Sequence, residues 1–513
     1  MRFSTNALGL IALACVAGCA VEGPNFSPPA AQLPAGWTAG QAPGAPNVTK
    51  PSALADPDPQ WWRGFNDPML DSLEQRAVAG NLDLQVALLR IAASRSQEQI
   101  ARAQGLPNMK AAASYSREQL GLEGVLKAAG PLPGTLQNNA SVAGIESQLT
   151  DPVNLFTVAL DASWELDLFG KVTRSVEAAE AQSLANREAR NDVLVALQAE
   201  VAQTYAQLRA AQALRALTLS SLNDERQIFD LTKNLQRSGL GKQSDVESIA
   251  GQVAQNESLL PQYEVQIAQS GNALALLLGA TPGALSAELA ADGKLFVLPE
   301  TVAIGMPASL ARRRPDIREA EASLHAATAQ TGVAIASLYP DMSLSAQYGL
   351  RNTTTKYLFN WASRFYSAGP SISLPIFQGG SLTANVHLAR AEQAAAAITY
   401  RKTVLNALSE VENALVSFHQ DQLRTASLRR AAEATGRSLL LARNAYRHGL
   451  ASFITVLDSD RQSVQMQSQL TTAMVQQSTD LIALYKALGG GWELNMPENA
   501  EEGLAGKSHI LEK

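Results

Sequence analysis

Cysteine occurs only twice in 513 residues, as Cys15 and Cys19, so no disulfide framework can hold this chain together. Aromatic residues make up 5% and charged residues 17%, and the formal net charge is −6. The one basic cluster, Arg312-Arg313-Arg314, is answered at once by Asp316 and Glu319, which excludes the basic surface that a nucleic-acid partner needs. The five histidines, His325, His387, His419, His448 and His509, match no metal-ligand spacing. A G-x-S-x-G nucleophile turn and a G-x-x-x-x-G-K-[ST] phosphate loop are both absent from the sequence. Neither catalysis nor a cofactor is therefore expected. The two long polar-interrupted segments described below hold no run of 18 apolar residues, so neither spans a membrane as a helix.

What is present begins at the N-terminus. Arg2 precedes an apolar stretch, Ala7 to Val16, that ends in Val16-Ala17-Gly18-Cys19. A short apolar run closed by small residues reads as an export signal, 1–18. A Cys directly after the small pair resembles the lipobox of bacterial lipoproteins, in which Cys19 would become the first mature residue and carry the acyl chains. Ala20 rather than Asp follows, which by the same resemblance favours the outer membrane. Residues 19–58 are rich in Pro, Gly and Ala and read as an extended segment that lets the anchor sit away from the folded body.

The rest is written twice. Arg237, Gly239, Leu240 and Val246 recur as Arg447, Gly449, Leu450 and Val456, and Leu278-Gly279 recurs as Leu488-Gly489. Each half, 59–283 and 307–492, reads as helix, strand, strand, very long helix, turn, long helix, with a linker at 284–306 and a flexible tail at 493–513. The long helices, Gly170 to about Gln236 and Ser381 to Tyr446, would each extend roughly 100 Å. Their apolar residues, such as Leu194, Leu197, Val201, Tyr205 and Leu208, are spaced by three or four, as in a coiled-coil seam.

The four strand segments alternate. In Val158–Leu168 the apolar file is interrupted by Asp161, Glu165 and Asp167; in Asp341–Leu350 and Ser367–Ile376 it is interrupted by Ser343, Ser345, Ser371 and Ser373. Met109–Ser116 is the weakest of the four. Segments of this length cross a bilayer as tilted strands, and Tyr115, Tyr348, Tyr357, Phe359, Trp361, Phe365 and Tyr366 gather at their ends as an interfacial girdle would. Four strands cannot sit in lipid alone, because two edges would leave backbone groups unpaired in hydrocarbon. Two chains would give eight strands and a filled interior, while three would give twelve and a wet lumen. The polar faces favour three.

Several segments together resemble the TolC-like outer-membrane efflux factors, in the lipoprotein branch that serves resistance-nodulation-division pumps. They are CAVEGPNFSPP from Cys19, WWRGFNDPML from Trp61, WELDLFGK from Trp164, RRPDIREAEASL from Arg313, LPIFQGG from Leu374, YRHGLASFITVLDSDRQ from Tyr446 and LYKALGGGW from Leu484. Glu22, inserted before Gly23-Pro24, departs from the pattern. The resemblance implies a mixed fold: a barrel of four strands per chain and twelve per homotrimer, continued by a coiled-coil barrel of helices in the periplasm. It implies docking to a periplasmic adaptor and, through it, to an inner-membrane pump that supplies the energy.

The resemblance also assigns residues. Asp458 matches an aperture carboxylate, Thr455 falls where some members carry another Asp, and Ile454 matches an apolar constriction. Tyr446 and Arg447 match residues that tie neighbouring helix pairs shut. The turns holding Gly239, Leu240, Gly241, Gly449, Leu450, Ala451 and Ser452 are the expected adaptor contacts. The function implied is passive export of small toxic compounds; a duct for secreted proteins and a pore-less envelope spacer are the rival readings.

Overall fold

The computed structural model describes residues 21–29, 33–38, 50–52, 57–119, 152–291 and 293–493. The expected signal segment, the lipid attachment expected at Cys19, and the tail after Glu493 lie outside the described residues.

The chain forms two compact units. The first gathers the described residues of 21–26, 96–180 and 325–394. Its centre is an antiparallel sheet in the order β2-β3-β5-β6: β2 (Asn108–Glu118), β3 (Val153–Leu166), β5 (Asp341–Asn352) and β6 (Arg364–Ser373). The register aligns the alternation of all four strands. Met109, Ala162, Ala346 and Ala368 form one row, and Ala111, Leu160, Tyr348 and Tyr366 the next. The opposite face carries Lys110, Asp161, Gln347 and Ser367 in one row, where Gln347 Nε2 donates to Asp161 Oδ1 at 2.6 Å. The apolar face is unpacked within the chain: Met109, Leu160, Tyr348, Tyr366 and Ile372 are all exposed.

Two sequence expectations change. Asp167 does not line the polar face. It lies beyond β3 and caps the next helix, accepting from the backbone N–H of Val172 (3.1 Å) and Thr173 (2.7 Å). β6 stops at Ser373 rather than Ile376, because its partner β5 begins at Asp341, opposite Ser373.

Two 67-residue helices, α3 (Lys171–Arg237) and α8 (Ser381–Arg447), stand 210 positions apart. Each follows a glycine with positive φ, Gly170 at 81° and Gly380 at 84°. Beyond the turns, α4 (Gln243–Glu257) and α5 (Leu260–Leu277) occupy the positions that α9 (Phe453–Ala487) covers unbroken. The break in the first copy is Pro261, which lacks the N–H of a helix interior and whose ring would clash with the carbonyl four residues earlier. Other helices include α1 (Pro68–Gly80), α2 (Leu82–Gln104), α6 (Pro307–Arg313) and α7 (Pro315–Ala336).

The second unit holds the main core, in which Leu70, Leu73, Tyr205, Leu208, Ile317 and Leu481 are fully buried. The inter-repeat linker is strapped to it. Arg209 Nη1 donates to the carbonyl of Ala291 at 2.8 Å, Gln212 Nε2 donates to that of Leu289 at 2.7 Å, and Phe296 stacks on Phe65 at 4.5 Å.

The N-terminal extended segment is not a free spacer, a correction to the sequence reading. In the first unit Arg174, 3% exposed, donates to the carbonyls of Glu22 and Gly23 and to Asn25 Oδ1, and Phe26 stacks on His325 at 4.4 Å. In the second, Trp37 is buried and donates to the carbonyl of Gly305 at 3.0 Å, and β1 (Lys50–Ser52) pairs in parallel with β4 (Thr301–Ala303). Pro and Gly disfavour helix here, and the carbonyls of Glu22 and Gly23 find their donor in the body. At the other end Glu493 belongs to the body too, paired with Arg313 at 3.1 Å.

Candidate gate at the helix-hairpin tips

Both turns are built the same way. Gly239 (φ 74°) donates to the carbonyl of Gln236 at 3.0 Å and Leu240 to that of Leu235 at 2.9 Å. Gly449 (φ 70°) donates to the carbonyl of Tyr446 at 2.9 Å and Leu450 to that of Ala445 at 2.8 Å. This is a glycine helix stop with two carbonyls satisfied, and its positive φ is what requires glycine. It pushes Leu240 and Leu450 outward, where they are 80% and 81% exposed. Gly241 is half-buried in the first turn, donating to the carbonyl of Leu235. In the second, half-buried Ala451 leads to Ser452, which caps α9 by accepting from the Thr455 N–H.

Phe453, Val456, Leu457 and Asp460 form the buried stripe at the start of α9. Ile454, Thr455 and Asp458 therefore share the opposite, exposed face, and Ile454 is 62% exposed. The buried stripe of α9 meets Ile249 of α4, with Ile228 and Phe229 of α3 and Tyr446 of α8 packed around it. Tyr446 lies edge-on to Phe453 at 5.9 Å, and its hydroxyl bonds Thr232. Burial, with the charge of Asp245 adding, pushes the Tyr446 phenol above its ordinary value. Arg447 is exposed and lines a cavity of about 180 Å³ with Asp224, Gln227, Leu231 and Arg443. Among the described residues Arg447 has no ion pair. Within one chain, then, the structure brings Tyr446 into the packed tip and leaves Arg447, Ile454, Thr455 and Asp458 facing outward.

A polar knot behind these residues was missed in the sequence. Arg443 Nη1 holds Asp224 Oδ2 at 2.8 Å, and its Nη2 holds Asp460 Oδ1 at 2.9 Å. Glu225, 0% exposed, accepts from Asn256 Nδ2 at 2.6 Å. Its carboxyl also contacts that of Asp460, and neither Glu225 Oε2 nor Asp460 Oδ2 has another donor. Two carboxyl groups in contact need a proton between them. Burial foremost, with Asp460 adding, pushes Glu225 up to about 7; burial also raises Asp460, against the pull of Arg443. Arg461 Nε meets Gln252 Oε1 at 2.6 Å beside this pair. The knot joins α3, α4, α8 and α9. One signal could have found it: Asp460 sits on the apolar stripe three residues after Leu457, where a charge has no solvent.

The family profile described as outer membrane efflux protein matches residues 73–280 and 306–490. The chain is 32% identical over 476 residues to the probable efflux pump outer membrane protein TtgC of Pseudomonas putida, covering 93% of each chain. It is 30% identical over 495 residues to nodulation protein T of Rhizobium leguminosarum, covering 96% of this chain and 98% of that one. Among solved structures it resembles the outer-membrane channel OprN, with a TM-score of 0.81 and 31% identity over 92% of this chain and all of the other.

Proposed function

The chain belongs to the outer membrane efflux protein family, and from that premise we propose that three copies complete one duct for small toxic compounds. It is an outer-membrane efflux channel. The observation that carries the trimer is the unfinished sheet. Its edges, β2 and β6, run antiparallel to one another and are 11 and 10 residues long, so the β6 of one copy can pair with the β2 of the next. A head-to-tail contact of this kind closes as a ring, and closure removes every edge from the lipid.

The gate follows from the same symmetry. Three copies of Asp458 around an axis form a carboxylate ring that favours cations, and three copies of Ile454 narrow the opening one turn nearer the tip. Arg447, exposed and without an ion pair among the described residues, is free to bind the next hairpin, while Tyr446 fixes α8 against α9. The outward Leu240 and Leu450 give a periplasmic adaptor two apolar knobs at the two turns. The adaptor links the duct to an inner-membrane pump of the resistance-nodulation-division type, and acyl chains on Cys19 hold each copy to the membrane.

Co-purification tests this reading. The intact protein should bring down one adaptor and one pump, and Leu240→Asp with Leu450→Asp should release both without dissolving the trimer. Retention of the adaptor by that double variant places docking elsewhere.

A further inference from the structure

The end of β2, the start of β3 and the loop that joins β5 to β6 lie at the end of the sheet opposite its helices, because β2 and β5 leave helices and β3 and β6 return to them. In an outer-membrane channel whose helices stand in the periplasm, that end faces the cell exterior. The apolar face of the sheet can be followed outward along β6: Ile372, Pro370, Ala368, Tyr366 and then Arg364. Arg364 is in register with Leu350, which pairs with Val158. A guanidinium thus stands on the lipid-facing side. From Ile372 to Arg364 the strand rises about 27 Å, roughly 20 Å along the normal at the usual barrel tilt, most of an apolar band of about 25 Å. Arg364 therefore sits at the outer rim, where a cation meets headgroups and not hydrocarbon.

Its neighbours are of the same kind. The Arg364 guanidinium lies over the ring of Trp361 at 4.8 Å, and Lys356 Nζ over that of Tyr357 at 5.4 Å. Both rings are exposed, as is Phe359 at 77%. Among the described residues neither Lys356 nor Arg364 has an ion pair. The sequence supplies no counter-charge in this loop: no Asp or Glu occurs between Asp341 and Glu392, in a chain whose net charge is −6. Unpaired cations braced on aromatic rings beside hydrocarbon fit an anionic headgroup carried by a lipid. Arg351, by contrast, is on the polar face, donating to Thr157 Oγ1 and stacked on Phe365.

We propose that Lys356 and Arg364 form a binding site for the phosphate groups of a phosphorylated glycolipid in the outer leaflet. Trp361, Tyr357 and Phe359 lie against its sugar and upper acyl region. The site anchors the outer rim of each copy as the acyl chains on Cys19 anchor the inner one. It rests on the reading of the sheet as an outer-membrane wall.

The test is native mass spectrometry of the full-length protein in mild detergent, titrated with bisphosphorylated lipid A and separately with its dephosphorylated form, alongside conductance in a planar bilayer. The wild-type protein should retain the phosphorylated lipid in preference to the other. Lys356→Gln and Arg364→Gln should each weaken retention by roughly fivefold, while Arg351→Gln leaves it unchanged. Should a double variant fail to assemble, the single variants and the wild-type comparison of the two lipids decide. Equal retention of both lipids by a conducting wild-type pore, or wild-type retention by both single variants, overturns the proposal alone. A wild-type protein that forms no pore overturns the membrane-wall reading with it.

Discussion

The carboxyl of Glu225 on α3 rests against the carboxyl of Asp460 on α9, and both residues are buried. The pair is stable only while it holds a proton, and the single guanidinium of Arg443 is shared between Asp460 and Asp224. Burial foremost raises Glu225 from 4.5 to about 7, so the protonated form belongs to the packed tip. The stability it confers is complete below about pH 4.5 and is lost as the pH climbs to about 7. Asp460, also raised, acts in the same direction. The resting conductance in planar bilayers should therefore be lower at pH 5 than at pH 8. Glu225→Gln, which keeps the shape without the charge, should stay at the low value throughout. A variant as pH-dependent as the wild type would remove Glu225 from this role.

Arg443→Ala should act more harshly than any surface change. It leaves Asp460, 3% exposed, facing Glu225 without its cation, a loss of about 3 kcal/mol or more for a broken buried pair. Single-channel recording should show frequent opening at every pH. Asp460→Asn added to Arg443→Ala should restore part of the closed time, because the uncompensated charge is then gone.

Tyr446→Ala with Arg447→Ala should raise conductance. The first change removes the edge-on contact with Phe453 and the bond to Thr232, and the second removes the free cation offered to a neighbouring hairpin. Unchanged current in a planar bilayer would assign closure to the Arg443 knot alone.

Gly23→Ala should detach the strap that follows the anchor. Gly23 has φ 94°, and a Cβ there would lie 2.6 Å from the Cα of Gly332, so backbone must move. The positive φ alone costs about 1–2 kcal/mol for an L side chain. Limited proteolysis should then cut near residues 21–29, which Arg174 and His325 protect in the native chain. Equal protection in both proteins would mean that the clamp does not hold the strap.

The duplication was open to reading because glycine marks it. Gly239 and Gly449, Gly279 and Gly489, and Gly170 and Gly380 all take positive φ at the same spacing. The alternation of Val158, Leu160, Ala162 and Trp164 likewise announced a two-faced sheet, since strand period leaves no other use for it. The Arg443 knot was hidden because its members come from four helices far apart in sequence, and a charge on a coiled-coil helix is usually solvated. The docking of residues 21–38 was hidden for another reason: Pro and Gly specify extension but not a destination. Phe26 and Trp37, the two large aromatics in that stretch, were the residues that argued for docking. Pro261 in α5 stood in plain view and breaks the symmetry of the two halves.

Four strands with an apolar face and two open edges require neighbours, and the mass of the conducting species measures this most directly. Native mass spectrometry in detergent, on the same preparation that conducts in a planar bilayer, should give three copies of the chain, which is 54.4 kDa before any processing or acylation. A conducting particle with the mass of one or two copies would contradict the account.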